Sequence, residues 1–177
     1  MDDKKIFKIL QKWFPVLEHQ DIPKKKHRRI FQQYLAWIAV EQVSQHVMVV
    51  DAENPYENGL EQCAILQQMN VDIALLQQAI RQKTMPLYEH YEKHKAVIGK
   101  YYCVNDQVFD LIFEEIDAVL KAQNFELLFV YAEKTYWMIV PNDDVKIHKF
   151  CKSFTKQFKA EGISIEHYTK LDCLRST

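Results

Sequence analysis

The sequence predicts an α+β protein in which about five N-terminal helices precede a β-β-α-β unit with a small, mainly antiparallel sheet. Apolar residues recur at helical spacing through the first two thirds of the chain, where glycine and proline are scarce. Two β-rich runs, 125–131 and 135–140, are separated by only three residues, as in a hairpin. An amphipathic stretch at 145–160 precedes a third β-rich run at 163–168. We expect a single domain, 1–177, which could divide into a helical lobe (1–123) and a β-β-α-β lobe (124–177).

Prolines and turn residues set the expected limits of the first two helices. The first helix covers 3–14 and ends before Pro15. Pro23 suits the first turn of the second, which is expected to continue to about Met48. The loop 51–59 follows, closed by an Asn-Gly turn signal.

Three more helices are expected before the first strand. One covers about 60–82, with a break near Asn70. Thr84, as an N-cap ahead of Pro86, opens another that extends to about Tyr102. The last covers about 105–122.

Local signals also mark the ends of the elements within the β-β-α-β unit. Asn124 suits the left-handed conformation between the fifth helix and the first strand. The sequence Pro-Asn-Asp-Asp at 141–144 ends the second strand and caps the helix at 145–160. Gly162 suits the position just after that helix.

The chain contains only three glycines, Gly59, Gly99 and Gly162, and no two of them are close in sequence. Dinucleotide fingerprints, phosphate-binding loops and nucleophile elbows each need several glycines a few residues apart. These enzyme and nucleotide-binding classes are therefore excluded. A catalytic site of Asp, Glu, His or Tyr assembled across the fold would leave no local motif, so an enzyme without glycine motifs stays an alternative.

We expect a soluble cytoplasmic protein without a cofactor. The N-terminus lacks the apolar run of a secretory signal, and no stretch approaches the ~18 apolar residues of a membrane span. The four cysteines, Cys63, Cys103, Cys151 and Cys173, form no C-x-x-C pair, which excludes zinc-finger spacing and favours reduced, structural thiols.

The net charge of −1 conceals a segregated distribution, with +4 in residues 1–50, −7 in 51–120 and +2 in 121–177. The segment 24–29 is expected to open the second helix, where cations oppose the helix dipole. These cations would contact a phosphate backbone, an acidic protein or an acidic patch of the same chain. The alternative is that they form a solvated turn with no specific contact. We take its candidate binding residues to be Lys24, Lys25, Lys26, Arg28 and Arg29.

The helix at 145–160 places five lysines on one side and apolar residues on the other. Because this face has no arginine or aromatic residue among its cations, it lacks the chemistry of base readout but could hold phosphates without sequence preference. A solvated face is the alternative. A nucleic-acid-associated regulator would need this helix and the segment 24–29 to share one continuous face.

An acidic stripe is expected along the helix at 105–122. Its carboxylates, with acidic residues of the loop 51–61, could present a negative surface to a basic protein partner. A solvated face and a metal site are the alternatives, the latter disfavoured because oxygen ligands usually come from loops. The candidate partner-binding residues are Asp106, Asp110, Glu114, Asp117, Glu53 and Glu57.

His90 and His94 lie four residues apart and could share one metal ion, but the pattern is not H-E-x-x-H and no third ligand can be named. We therefore expect no metal site.

In size, acidic patches and lack of catalytic signatures, the chain resembles the small cytoplasmic immunity proteins that bacteria make against their own toxins. That resemblance implies a non-enzymatic inhibitor that neutralises a basic toxin, such as a nuclease, through its acidic surface. The other two hypotheses are the nucleic-acid-associated regulator and the small enzyme.

Overall fold

The chain folds into an α+β architecture in which helices cover both faces of an antiparallel sheet. A computed structural model describes residues 3–51, 58–61, 63–98 and 104–169. In this part the strands lie in the order β1-β3-β2-β4, with bounds Val47–Val49 (β1), Phe125–Tyr131 (β2), Thr135–Pro141 (β3) and Ser164–His167 (β4). The helices are Lys5–Trp13 (α1), Phe31–Ile38 (α2), Glu41–Ser44 (α3), Ala64–Gln68 (α4), Ile73–Ile98 (α5), Val104–Ala122 (α6) and Asp144–Phe158 (α7).

The two central strands are buried on both faces, which is why their sequences are almost continuously apolar. On one face, Leu128 and Met138 belong to a core shared with α1, α2 and α7. On the other, Phe129 and Trp137 belong to a core shared with α4, α5 and α6. Helices on both sides remove the alternation of polar and apolar residues that a half-exposed strand would show.

The expected hairpin, last helix and last strand are present as β2, β3, α7 and β4. Asp143 caps α7, since its Oδ1 accepts a hydrogen bond from the Lys146 N–H at 3.0 Å. Asn124 (φ 59°) and Gly162 (φ 71°) both adopt the left-handed conformation. These are short-range signals, so the sequence carries them locally.

The continuous helix expected from Pro23 to Met48 is wrong. The backbone becomes extended at Ile30 and again at Val40, which separates a short 3-10 turn, α2 and α3. The chain then enters β1, which pairs antiparallel with β3 in the register Met48↔Trp137. The gain from completing the sheet edge outweighs the weak helical preference of this segment.

The break expected at Thr84 is also wrong, because α5 continues through it and through Pro86. Thr84 is fully buried, and its Oγ1 donates to the Ile80 carbonyl at 2.9 Å instead of capping a new helix. Leu76, Ile80 and Thr84 recur every four residues and form the buried side of α5, which packs along α6. The helix is described as far as Ile98, so the expected end near Tyr102 and Gly99 lie outside the described residues.

No helix in the described part of the chain has the length and apolar character needed to span a membrane.

Candidate binding surfaces

Three positively charged elements meet on one side of the sheet. The α1 helix packs along α7, with the rings of Trp13 and Phe150 5.0 Å apart. Asp3, just before α1, forms an ion pair with Arg28 at 2.8 Å. The Arg28 carbonyl accepts a hydrogen bond from Gln157 Nε2 of α7 at 2.6 Å. These contacts make the three elements neighbours, and we call the exposed side of the two segments that contain them, residues 3–31 and 143–161, the basic face.

The segment 24–29 takes part in this face, but not as the start of a helix. It forms an extended stretch and a 3-10 turn at Lys25–His27, so the expected opposition of its cations to a helix dipole does not arise. The next helix begins only at Phe31, whose N–H donates to Glu161 Oε1 at 2.9 Å. Arg28 is half-buried and held by Asp3 and by the Pro23 carbonyl, so it supports the face. Lys24, Lys25, Lys26 and Arg29 are exposed.

The two segments that form the basic face contain fourteen Lys and Arg against six Asp and Glu, a net charge of +8. The lysine side of α7 and of the turn that follows it is largely exposed, at Lys149, Lys152, Lys156 and Lys159. Four further exposed lysines lie in α1 or directly before it, namely Lys4, Lys5, Lys8 and Lys12. Sequence reasoning overlooked them, although they lie opposite the apolar stripe of α1 and could have been found from its periodicity.

The acidic stripe of α6 is only partly open to solvent. Asp106 and Asp110 are exposed, whereas Glu114 is half-buried. Asp117 is buried, with an exposed fraction of 6%, and its Oδ2 pairs with Lys121 Nζ at 2.7 Å. Partial burial, together with the charge of Asp106, raises the pKa of the Asp110 carboxyl. The four candidate carboxylates are therefore not equally accessible, because the stripe is covered towards its C-terminal end.

Only some of the acidic loop residues expected beside this stripe belong to the described residues. Glu53 and Glu57 lie outside the described residues. Asp51 is half-buried at the end of β1, and its N–H donates to Asn58 Oδ1 at 3.1 Å. Glu61 is exposed.

A residue missed by sequence reasoning lies against the stripe. Tyr168, just after β4, donates from its hydroxyl to the backbone carbonyl of Asp110 at 3.3 Å. Its ring packs edge-on against Phe129, with centroids 5.7 Å apart. No local pattern signals this contact, which joins residues 58 positions apart.

Within the described part of the chain, no group of three or more His, Cys, Asp or Glu is placed to hold a metal ion. The rings of His90 and His94 are 4.3 Å apart, and His94 Nδ1 hydrogen-bonds the His90 carbonyl at 2.9 Å.

An open cleft of about 540 Å³ between α7 and β4 contains His148, Cys151 and His167. His167 Nε2 lies 2.9 Å from Oε2 of the buried Glu126, a pair that cross-strand register creates and that the sequence does not indicate. Burial raises the pKa of the Cys151 thiol to about 11 and that of Cys63 to about 11. Both cysteines are therefore protonated at neutral pH, and neither is an activated nucleophile. Cys103 and Cys173 lie outside the described residues.

Comparison with known proteins adds no functional assignment: no protein-family model, curated protein or solved structure matches the chain.

Proposed function

We propose that the chain is a non-enzymatic binding protein whose basic face holds the phosphate backbone of a nucleic acid. The observation that carries the proposal is the mutual contact of α1, the segment 24–29 and α7, which gathers fourteen basic residues from three separate parts of the sequence. A nucleic-acid-associated regulator requires such a continuous face.

The chemistry of the face favours phosphate over base edges. The exposed lysines of α7 recur every three or four residues, which corresponds to about 5 Å along a helix. Lysine holds phosphate as a point charge, while bidentate base readout depends on arginine, asparagine or glutamine. Arg28, one of the two arginines here, is already held by Asp3. Binding should therefore be insensitive to sequence and strongly dependent on salt, because each neutralised phosphate releases a counterion.

The test is a salt titration of binding to a short fluorescent DNA duplex, followed by anisotropy. The variant combines Arg29→Gln, Lys149→Gln and Lys156→Gln, all exposed on the basic face. If each contacts a phosphate, the slope of log K against log salt falls in magnitude by about 2.7. The matched control removes the same charge elsewhere through Arg81→Gln, Lys93→Gln and Lys95→Gln, all exposed on α5.

Three results would contradict the proposal. The first is that neither the DNA duplex nor single-stranded RNA binds at low salt. The second is that the control variant loses as much binding as the basic-face variant. The third is that polyglutamate, at equal charge concentration, displaces the nucleic acid. The last would identify an acidic protein as the partner.

A second candidate function is the immunity-type inhibitor of a basic toxin such as a nuclease. The supporting observation is that Asp106 and Asp110 stand exposed and one turn apart on α6, where a basic partner can reach both. The test is co-expression with any toxic protein encoded beside this chain. Protection should be lost with Asp106→Lys and Asp110→Lys together and kept with Glu89→Lys, a reversal at an exposed site on α5. Protection that survives the double reversal would exclude the acidic surface.

A further inference from the structure

The large aromatic rings of the two basic-face segments lie beneath the surface. All seven Phe and Trp side chains of residues 3–31 and 143–161 are buried, with exposed fractions of 7% or less, and neither segment contains tyrosine. Trp13 and Phe150, for example, pack on each other in the core. The exposed rings are the imidazoles of His19 and His148, which come from separate parts of the chain. Both segments are fully described, so their surface offers positive charge without a row of large aromatic rings.

This surface chemistry discriminates between the two forms of nucleic acid. Proteins that bind single strands without sequence preference neutralise phosphates and also stack successive bases on exposed aromatic side chains. In a duplex the bases are already stacked on one another, so binding without sequence preference depends on the phosphates. A face rich in exposed lysine, with its Phe and Trp side chains buried, therefore suits a duplex better than a single strand.

The exposed lysines of α1 and α7 form two rows. Lys5 and Lys12 on α1, and Lys149 and Lys156 on α7, are each two helical turns apart, about 10 Å along the axis. Both helices bury their apolar sides in the same core, so both rows lie on the solvent side of that layer. The axes of packed helices are about 8–10 Å apart, and the grooves between the strands of B-DNA are about 6 and 12 Å wide. Two rows at this separation can contact phosphates on both strands of a duplex, whereas a single strand has only one row of phosphates.

We infer that the basic face binds double-stranded nucleic acid in preference to single strands, with α1 and α7 contacting the phosphates on opposite sides of a groove. The duplex preference rests on the proposed function, whose substrate it specifies. The higher charge density of a duplex acts in the same direction, because each phosphate contact contributes about 0.9 to its salt slope and about 0.7 to that of a single strand.

The first test compares a dA·dT duplex of about 20 base pairs, roughly two helical turns, with the unpaired dT strand of the same length. Each competes for the full chain against a fluorescent duplex, followed by anisotropy. We expect the unlabelled duplex to bind at least about tenfold more tightly than the dT strand at every salt concentration. Equal or tighter binding of the dT strand would overturn the duplex preference and leave the proposed function standing. If neither bound, both would be overturned.

The second test determines whether both lysine rows contact the duplex. One variant combines Lys5→Gln with Lys12→Gln, and the other combines Lys149→Gln with Lys156→Gln. Each variant removes two exposed charges with the same spacing from one helix. Each should lower the magnitude of the duplex salt slope by about 1.8, because it removes two phosphate contacts.

The matched control combines Lys93→Gln with Lys95→Gln, which removes two exposed charges from α5 in the layer on the other face of the sheet. It should leave the salt slope unchanged. A slope that responds to the lysines of one helix alone would show contact with one strand only. An equal response in the control would show that net charge, and not the two rows, determines binding. Either result would overturn the inferred contact with both strands.

Discussion

Replacing Pro86 by alanine should stabilise the protein, because this proline lies on the exposed side of α5 inside the continuous helix. A proline in a helix interior is about 3 kcal/mol less favourable than alanine, since it removes an N–H donor and its ring crowds the preceding turn. Proline also restricts the unfolded chain, which offsets up to about 1 kcal/mol. The net gain should be about 2 kcal/mol, or a rise in Tm of about 4–8 °C.

The assay is urea unfolding followed by circular dichroism, with Met85→Ala as the control at the neighbouring exposed site. Thr84→Val gives an independent check. If Thr84 capped a new helix, its loss would cost about 1 kcal/mol. Since its Oγ1 only duplicates a bond to the Ile80 carbonyl, we expect a change within about 0.5 kcal/mol. A Pro86→Ala variant without added stability, together with a marked loss in Thr84→Val, would show that two helices meet here.

Three other changes test the fold and its ionisable groups. Gly162→Ala should cost about 1 kcal/mol in urea unfolding, because its φ of 71° disfavours a Cβ although the space around it is open; Gly162→Asn should cost less. Arg28 holds the pKa of the Asp3 carboxyl below its ordinary 3.8, so the pair stabilises the fold at neutral pH and that contribution disappears as the pH falls below about 3.8. Asp3→Asn should therefore lower stability more at pH 7 than at pH 3, and an equal loss at both would contradict the ion pair. Alkylation of Cys151, followed by peptide mass spectrometry, should be slow at pH 7 and should accelerate towards pH 11; rapid labelling at pH 7 would contradict a buried thiol.

The parts of the fold that sequence reasoning found are those whose signals are local. The hairpin of β2 and β3, the Asp143 cap and the left-handed Gly162 each depend on a few adjacent residues. The β1 strand could not be found this way, because three residues become a strand only by pairing with β3 about ninety positions later. The helix break predicted before Pro86 failed for the opposite reason. The packing of α5 along α6 overrides the strong local tendency of proline to end a helix.

For the candidate surfaces too, features with a local sequence signal were predicted and features set by long-range contacts were not. Helical periodicity identified the lysines of α7 and the row of carboxylates on α6, because both lie on single helices. It could not show that the segment 24–29 lies beside α7, a contact made through Arg28 and Gln157. Nor could it show how much of the carboxylate row is covered, because Asp117 is buried although it belongs to the same helical row as the exposed Asp110.

The separation of charge across the sheet explains how a chain with a net charge of −1 can offer two surfaces of opposite sign. The basic face belongs to the layer with α1, α2 and α7, and the acidic carboxylates of α6 belong to the opposite layer. A helix is about 10 Å in diameter and packs about 10 Å from a sheet, so the outer surfaces of the two layers are roughly 30 Å apart. The Debye length at physiological salt is about 8 Å, so each surface acts on its surroundings almost independently of the other. Reversing charges on one side should therefore leave binding at the other side unchanged, and both surfaces could be occupied at once.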